Sequence, residues 1–303
     1  MKSRLLYLWN ILFDVKEYIK LKFLLIKDYF YCKSHSAPKV MSVEQTIDYI
    51  VENNCSVSRY GDGEIKLCCG KDISFQRSSD RLSQMLAEPL RVNEKGFLPC
   101  IVDCFAENSD KKKSTSEHWK KHMSMYRKYW YMLTDSNIFY GNAFISRPYM
   151  QYADKSNCAK IFNSIKRIWN GRDIAIVEGM QSRLGVGNDL FDNVNSIKRI
   201  LVPVRDAFEC YDRILSACVA YEKSTLFLLA LGPSATVLAY DLHKCGFQAV
   251  DIGHIDVEYE WFLNGETEKK PVKYKFVNEA NNQNAVEDCN DESYISQIVA
   301  EIS

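Results

Sequence analysis

The chain has 303 residues, 47% of them hydrophobic, with basic and acidic side chains balanced at 39 each. That much apolar material fits one large α/β domain or two small ones and excludes a disordered chain, while the balanced charge excludes a global basic field for nucleic acid. The 11 cysteines are odd in number and follow no secretory signal. They read as reduced core thiols of a cytoplasmic protein, and Cys68, Cys69, Cys100 and Cys104 lack a second ligand pair at zinc spacing.

Residues 2–33 alternate bulky apolar side chains (Leu5, Leu8, Trp9, Leu12, Ile19, Phe23, Ile26) with Arg4, Lys16, Lys20, Lys22 and Lys27. The charges recur too often for a membrane span. The pattern predicts an amphipathic basic helix that lies on the inner face of an anionic membrane, on a partner, or on the body of the protein. A linker ending near residue 37 follows, then a domain over 38–278 and a polar, loosely packed tail over 279–303.

The domain opens at Ser42, whose spacing to Gln45 is that of a capping box ahead of an apolar helical face. Cys55 to Val57 predicts a strand running into Arg59, followed by Gly61-Asp62-Gly63-Glu64. On extended backbone Asp62 and Glu64 project to one side, where two carboxylates repel each other unless a cation joins them. A divalent metal is one such cation, and the Arg59 guanidinium is the plainer alternative. Ser79 caps a helix that Pro89 ends, Phe97 to Val102 predicts a strand, and Ser114 to Leu133 a helix with Trp119, Met123, Tyr126 and Trp130 on one side. His118 and His122 stand four apart on that helix without the Glu of a zinc-protease motif, so a solvated face is the better reading.

Strand and helix then alternate. Strands at Ile138–Ile145, Ile174–Val177, Ile197–Val202, Leu226–Leu231 and Phe247–Ile252 are separated by helical stretches at 160–169, 207–220 and 235–244. The alternation predicts a Rossmann-like α/β fold, a mostly parallel sheet with helices on both faces and ligands outside the carboxyl ends of its strands. Polar, glycine-rich segments mark those ends. Gly232-Pro233-Ser234-Ala235-Thr236 suits a phosphate at a helix start, with the Ser234 and Thr236 hydroxyls as donors, or an ordinary capped helix. Gly185-Val186-Gly187-Asn188 lacks the third glycine of a dinucleotide fingerprint. Arg147 and Arg183 carry the planar donor forks that phosphates favour, and are equally suited to surface ion pairs. Asp251, His254, Asp256 and Glu258 gather four titratable groups, so His254 is a candidate base or acceptor contact.

These residues, taken together, resemble the bacterial GT-D-type glycosyltransferases over about Ser42 to Lys275. The resemblance is carried by R-Y-G-D-G-E at 59–64, F-Q at 75–76, S-R-P-Y-M at 146–150, R-L-G-V-G-N-D-L-F at 183–191, L-G-P-S-A-T-V-L-A-Y-D-L at 231–242 and D-I-G-H-I-D-V-E-Y-E-W at 251–261. It implies a nucleotide-sugar site, typically for a UDP-linked donor, with the D-x-E acids Asp62 and Glu64 beside a metal and the diphosphate. Met180-Gln181 departs from a more polar pair, which leaves the donor open.

The expected activity is metal-assisted transfer of a hexose to a hydroxyl of a surface glycan, on a lipid or protein carrier. Mn or Mg would be held by Asp62 and Glu64, and His254 or Asp256 would take the acceptor proton. Arg59, Gln76, Arg147, Glu178, Arg183, Asn188, Asp189, Gly232, Ser234 and Asp251 are the expected substrate contacts. The alternatives are a metal-dependent phosphohydrolase and a non-catalytic nucleotide-sugar-binding subunit. Self-association is a further option, and nucleic acid is not an expected partner.

Overall fold

The computed structural model describes residues 2–106, 110–280 and 286–303, with side chains from Val15 onward. In chain order the elements are α1 (Lys2–Ser34), β1 (Lys39–Val40), α2 (Val43–Asn53), β2 (Ser56–Tyr60), α3 (Asp62–Cys68), α4 (Asp80–Ala87), β3 (Phe97–Ile101), α5 (Lys113–Leu133), β4 (Phe139–Asn142) and α6 (Cys158–Ile165). There follow β5 (Asp173–Gly179), β6 (Ser196–Val202), α7 (Tyr211–Val219), β7 (Leu226–Ala230), α8 (Pro233–Lys244), β8 (Gln248–Asp251), α9 (Ile255–Leu263), α10 (Glu292–Gln297) and β9 (Ile298–Glu301).

Nine strands form one sheet in the order β1-β4-β3-β2-β8-β7-β5-β6-β9, and every pairing is parallel. Strands covered on both faces need unbroken apolar runs, and Leu226 to Leu229 of β7 are fully buried. Each such side chain contributes roughly 1.5–3 kcal/mol of transfer free energy. From β2 the chain runs outward through β3 and β4, whereas β8, on the other flank of β2, belongs to the second half. The order reverses at β2 and β8, and ligands of such sheets bind in the crevice beyond that point.

Local rules account for the helix starts. The Ser42 hydroxyl accepts from Gln45 N at 3.1 Å while the Gln45 side chain accepts from Ser42 N at 3.0 Å, the reciprocal bonds of a capping box. Asn54 then closes α2 in the left-handed region, at φ 48°. Ser79 caps α4 through Leu82 N. The thiols of Cys55, Cys100, Cys104, Cys158, Cys210 and Cys218 are buried and unbridged, as core thiols should be.

Three expectations are corrected. The stretch after β2 is not extended: two glycines do not prevent α3 from starting at Asp62, so Asp62 and Glu64 stand two apart on a helix and do not share a side. Ile255 onward is the helix α9 rather than a strand end. The last residues are not loosely packed, because β9 adds to the sheet beside β6 and Tyr294 and Ile302 are buried. α1 docks on the body of the protein by its second half. Asp28 accepts two bonds from Arg127 of α5, at 2.7 and 3.1 Å, and the Tyr31 and Tyr131 rings lie 5.8 Å apart.

Candidate active site

A cleft of about 1220 Å³ opens beyond the carboxyl ends of β2, β4, β7 and β8. Each strand delivers one part of it: β2 the turn to Asp62 and Glu64, β4 the loop to Arg147, β7 the turn at Gly232, and β8 the turn to His254.

Arg59, on β2, forms the floor. Its Nη2 lies 2.7 Å from Asp251 Oδ1, its Nε donates to the Asp251 carbonyl at 2.8 Å, and Nη1 donates to the Ser146 hydroxyl at 2.5 Å. It therefore ties the ends of β2, β4 and β8 together and does not pair with Asp62 or Glu64. Gly253 is required here, since a Cβ at that position would sit 1.9 Å from Arg59 Nη2 and its φ is +42°.

The two acids of the turn differ. Glu64 Oε2 accepts from Gly61 N at 2.7 Å, capping its own helix, and burial pushes its carboxyl up to about 7, with Asp251 and Asp62 adding to the rise. Burial pushes the Asp62 carboxyl up as well, but Lys66, 2.5 Å away, and His118 outweigh it and hold Asp62 below its ordinary value. His118 Nε2 stands 3.8 Å from Asp62 Oδ2. Among the described residues no three His, Cys, Asp or Glu side chains gather as a complete metal cage. The donor set fits a hard divalent cation held by one or two carboxylates and completed by substrate phosphates, the usual mode for Mg²⁺. Glu64, raised by burial and by neighbouring acids, is a carboxyl that a cation would ionise.

On the opposite wall Arg147 Nη2 pairs with Glu279 Oε1 at 2.8 Å, and Lys269 also reaches Glu279. The Arg147 guanidinium and His254, outweighing the upward push of burial, hold Glu279 well below the ordinary carboxylate range. Glu258, behind the wall, accepts from Tyr149 N and Met150 N at 3.0 and 2.7 Å and so fixes the loop that carries Arg147. His254 precedes α9, and burial, aided by the Arg147 charge, lowers its imidazole to about 3. It is therefore neutral at physiological pH and able to accept a proton. Gly232, at φ +63°, opens the 12-residue helix α8 towards the cleft, where a Cβ would press on Phe75 at 3.0 Å. Gln76 lines the cleft too, accepting from Phe208 N at 3.3 Å.

The remaining expected contacts belong to the scaffold. Glu178 is fully buried, with Oε1 2.5 Å from Arg199 and Oε2 accepting from Leu184 N. Arg183 donates from Nη1 to the carbonyls of Tyr274 and Glu287, both at 2.6 Å, and does not line the cleft in which it was expected to meet phosphate. Asn188 donates to Asp256 and Glu260, and Asp189 pairs with Lys166 at 2.9 Å. Ser234 is buried away from the cleft, and Thr236 donates to the Arg59 carbonyl at 2.9 Å, so neither hydroxyl cradles a phosphate. Asp256 touches the cleft but has both oxygens committed, Oδ1 to Gly185 N and Asn188 at 2.8 Å each and Oδ2 to Lys275 at 2.7 Å. A carboxylate so engaged is no general base.

His118, Lys66, Lys269 and Glu279 enter the site without having been singled out for it. His122 was expected on a solvated face, yet it is buried, accepting from Trp130 Nε1 at 3.0 Å and stacking on Tyr126. Its place three residues after Trp119 and four before Tyr126 was the available signal.

Comparison with known proteins identifies the fold and its family. The family model described as glycosyltransferase GT-D fold matches residues 57–280. The chain is 39% identical over 265 residues to glycosyltransferase GlyD of Streptococcus pneumoniae, covering 87% of this chain and 32% of that protein. It is 40% identical over 266 residues to the probable glycosyl transferase Gly of Streptococcus gordonii, covering 87% of this chain and 39% of that protein. The chain thus spans a third to two fifths of the length of these relatives. A solved structure described as the highly conserved domain of unknown function 1792 with a distinct glycosyltransferase fold superposes with a TM-score of 0.87 at 39% identity, covering 91% of this chain and all of that one. Another, described as a new glycosyltransferase from Streptococcus sanguinis, gives 0.84 at 38% identity, covering 88% of this chain and all of that one. The chain belongs to the family of glycosyltransferases with the GT-D fold.

Proposed function

We propose that this glycosyltransferase moves a hexose from a UDP-linked donor to a hydroxyl of a surface glycan carried on lipid or protein, on the cytoplasmic side of the membrane. The observation that carries the reading is the convergence, at the point where the strand order reverses, of an acidic turn, a helix start, an arginine and a neutral histidine. A diphosphate needs positive partners, and three are at hand. The start of α8 after Gly232, although Pro233 has no N–H to give, points a favourable dipole towards the cleft. Arg147, oriented by Glu279, offers charge-assisted bonds. Asp62 would hold a Mn or Mg ion, with Glu64 joining it once its carboxyl leaves Gly61 N, and the ion would supply charge stabilisation to the leaving diphosphate.

In transfer the acceptor oxygen forms a bond to the anomeric carbon, the carbon–oxygen bond to the diphosphate breaks, and UDP leaves with the electron pair. The acceptor proton passes to His254, whose imidazole burial keeps neutral and only weakly basic, so that it takes the proton only as the oxygen becomes positive. Arg59 and Asp251 keep β2, β4 and β8 in register so that donor and acceptor contacts stay within reach.

A panel of nucleotide sugars, with and without Mn and a glycan acceptor, tests the reading. Sugar transfer dependent on the acceptor is expected. Phosphate release without an acceptor would make the protein a phosphohydrolase, and UDP binding without turnover on any acceptor would make it a non-catalytic subunit.

A further inference from the structure

α1 is two-faced, and only one face is used. Leu21, Leu24, Leu25, Asp28, Tyr31 and Cys32 are half-buried on the side that meets α5. On the other side Val15, Ile19, Phe23, Ile26 and Phe30 recur at steps of three and four, each between 49% and 68% exposed. A continuous apolar stripe of this kind on a helix is not needed for folding and marks a surface that something covers.

The charges select the occupant. Lys16, Lys20 and Lys27 each follow a stripe residue by one position and Lys22 precedes one, so lysines border the stripe on both sides. The acids leave a basic excess along that border: Asp28 is held by Arg127, and Glu17 reaches Lys20 of its own helix at 3.7 Å. A second copy packed along this stripe would bring lysines against lysines with a single exposed carboxylate, Glu17, already paired to Lys20 within its own helix among the described side chains. Among the described residues no helix is long and apolar enough to cross a membrane. Apolar and aromatic side chains edged by lysines, on a helix that cannot span, match a bilayer interface with anionic headgroups.

We infer that α1 seats this protein on an anionic lipid surface through the Val15-to-Phe30 stripe. The inference is independent of the chemistry of the cleft. It has a consequence for the acceptor, because α5 receives α1 through Arg127 and Tyr131 and also supplies Thr115, His118 and Trp119 to the cleft. One rigid helix thus links the lipid contact to the site, which favours an acceptor held at the membrane.

Co-sedimentation of the full chain with phosphatidylglycerol-containing and with pure phosphatidylcholine vesicles tests it. Binding to the anionic vesicles alone is expected, weakening with salt. Ile19→Asp with Phe23→Asp should abolish it, and Lys16→Glu with Lys27→Glu should weaken it by about fivefold or more per lysine. Circular dichroism should show every variant folded, since these side chains are exposed. Absence of vesicle binding, or equal binding by parent and variants, overturns the inference. So does a concentration-dependent dimer in the parent that Ile19→Asp with Phe23→Asp dissociates, which would make a second copy the occupant.

Discussion

Asp256→Asn should destabilise the protein and leave its chemistry almost intact. The side chain is 2% exposed and its partner Lys275 1%, with 2.7 Å between Oδ2 and Nζ. Removing one partner of a buried ion pair costs about 3–5 kcal/mol, because the other charge stays buried without its counterion. Asparagine can still accept from Gly185 N, and Lys275 keeps Glu260 at 3.0 Å, which places the cost near the lower bound, about 3 kcal/mol. With 303 residues and an unfolding entropy of about 2.1 cal/mol/K per residue, that lowers Tm by roughly 5 °C. Thermal unfolding by circular dichroism, with turnover measured well below the transition, reads both quantities. A variant that melts with the parent while turnover falls a hundredfold would refute the reasoning and return Asp256 to the chemistry.

Glu64→Gln tests the raised carboxyl. The folded group titrates near 7 against an ordinary 4.5, so between those values the folded state holds a proton that the unfolded chain has shed. Its contribution is fully present below pH 4.5 and is lost as pH rises to 7, with a slope of up to about 1.4 kcal/mol per pH unit. Urea unfolding across that window should show the slope in the parent and a flatter profile in Glu64→Gln. His254→Ala should lower transfer by about a hundredfold with nearly unchanged UDP affinity, since the role proposed for the imidazole is to take the acceptor proton and not to hold the diphosphate. Steady-state kinetics beside calorimetry separates this from a packing role, which would lower Tm and spare turnover of the folded fraction. Arg183→Met should lower Tm and leave UDP affinity unchanged, because its bonds go to the Tyr274 and Glu287 carbonyls.

The sheet and the cleft were legible because parallel strands covered on both faces must be apolar, and the residues at their ends stand out against that background. Glycine misled at Asp62 and at Gly253, where sequence favours a loop but tertiary packing starts α3 and α9. Side-chain partners were the least legible layer. Glu178, Arg183 and Asp256 have the composition of a site, and only the fold reveals that Arg199, the carbonyls of Tyr274 and Glu287, and Lys275 already occupy them. Glu279 had the opposite fate. It lies in a stretch too polar for a core, and it became visible as the partner of Arg147 once the chain had returned to the cleft.

The most direct test concerns Asp62, where Lys66 now supplies the positive charge that a metal bound with the diphosphate would bring. The Asp62 and Lys66 side chains are a third exposed, so losing the pair costs little stability and Asp62→Asn should fold as the parent does. Calorimetric titration of UDP with and without Mn, in both proteins, measures the coupling. The account predicts that Mn tightens UDP binding in the parent, that UDP tightens Mn binding by the same factor, and that Asp62→Asn loses this coupling together with about a hundredfold in transfer rate. Equal coupling in both proteins, with transfer intact, would contradict it.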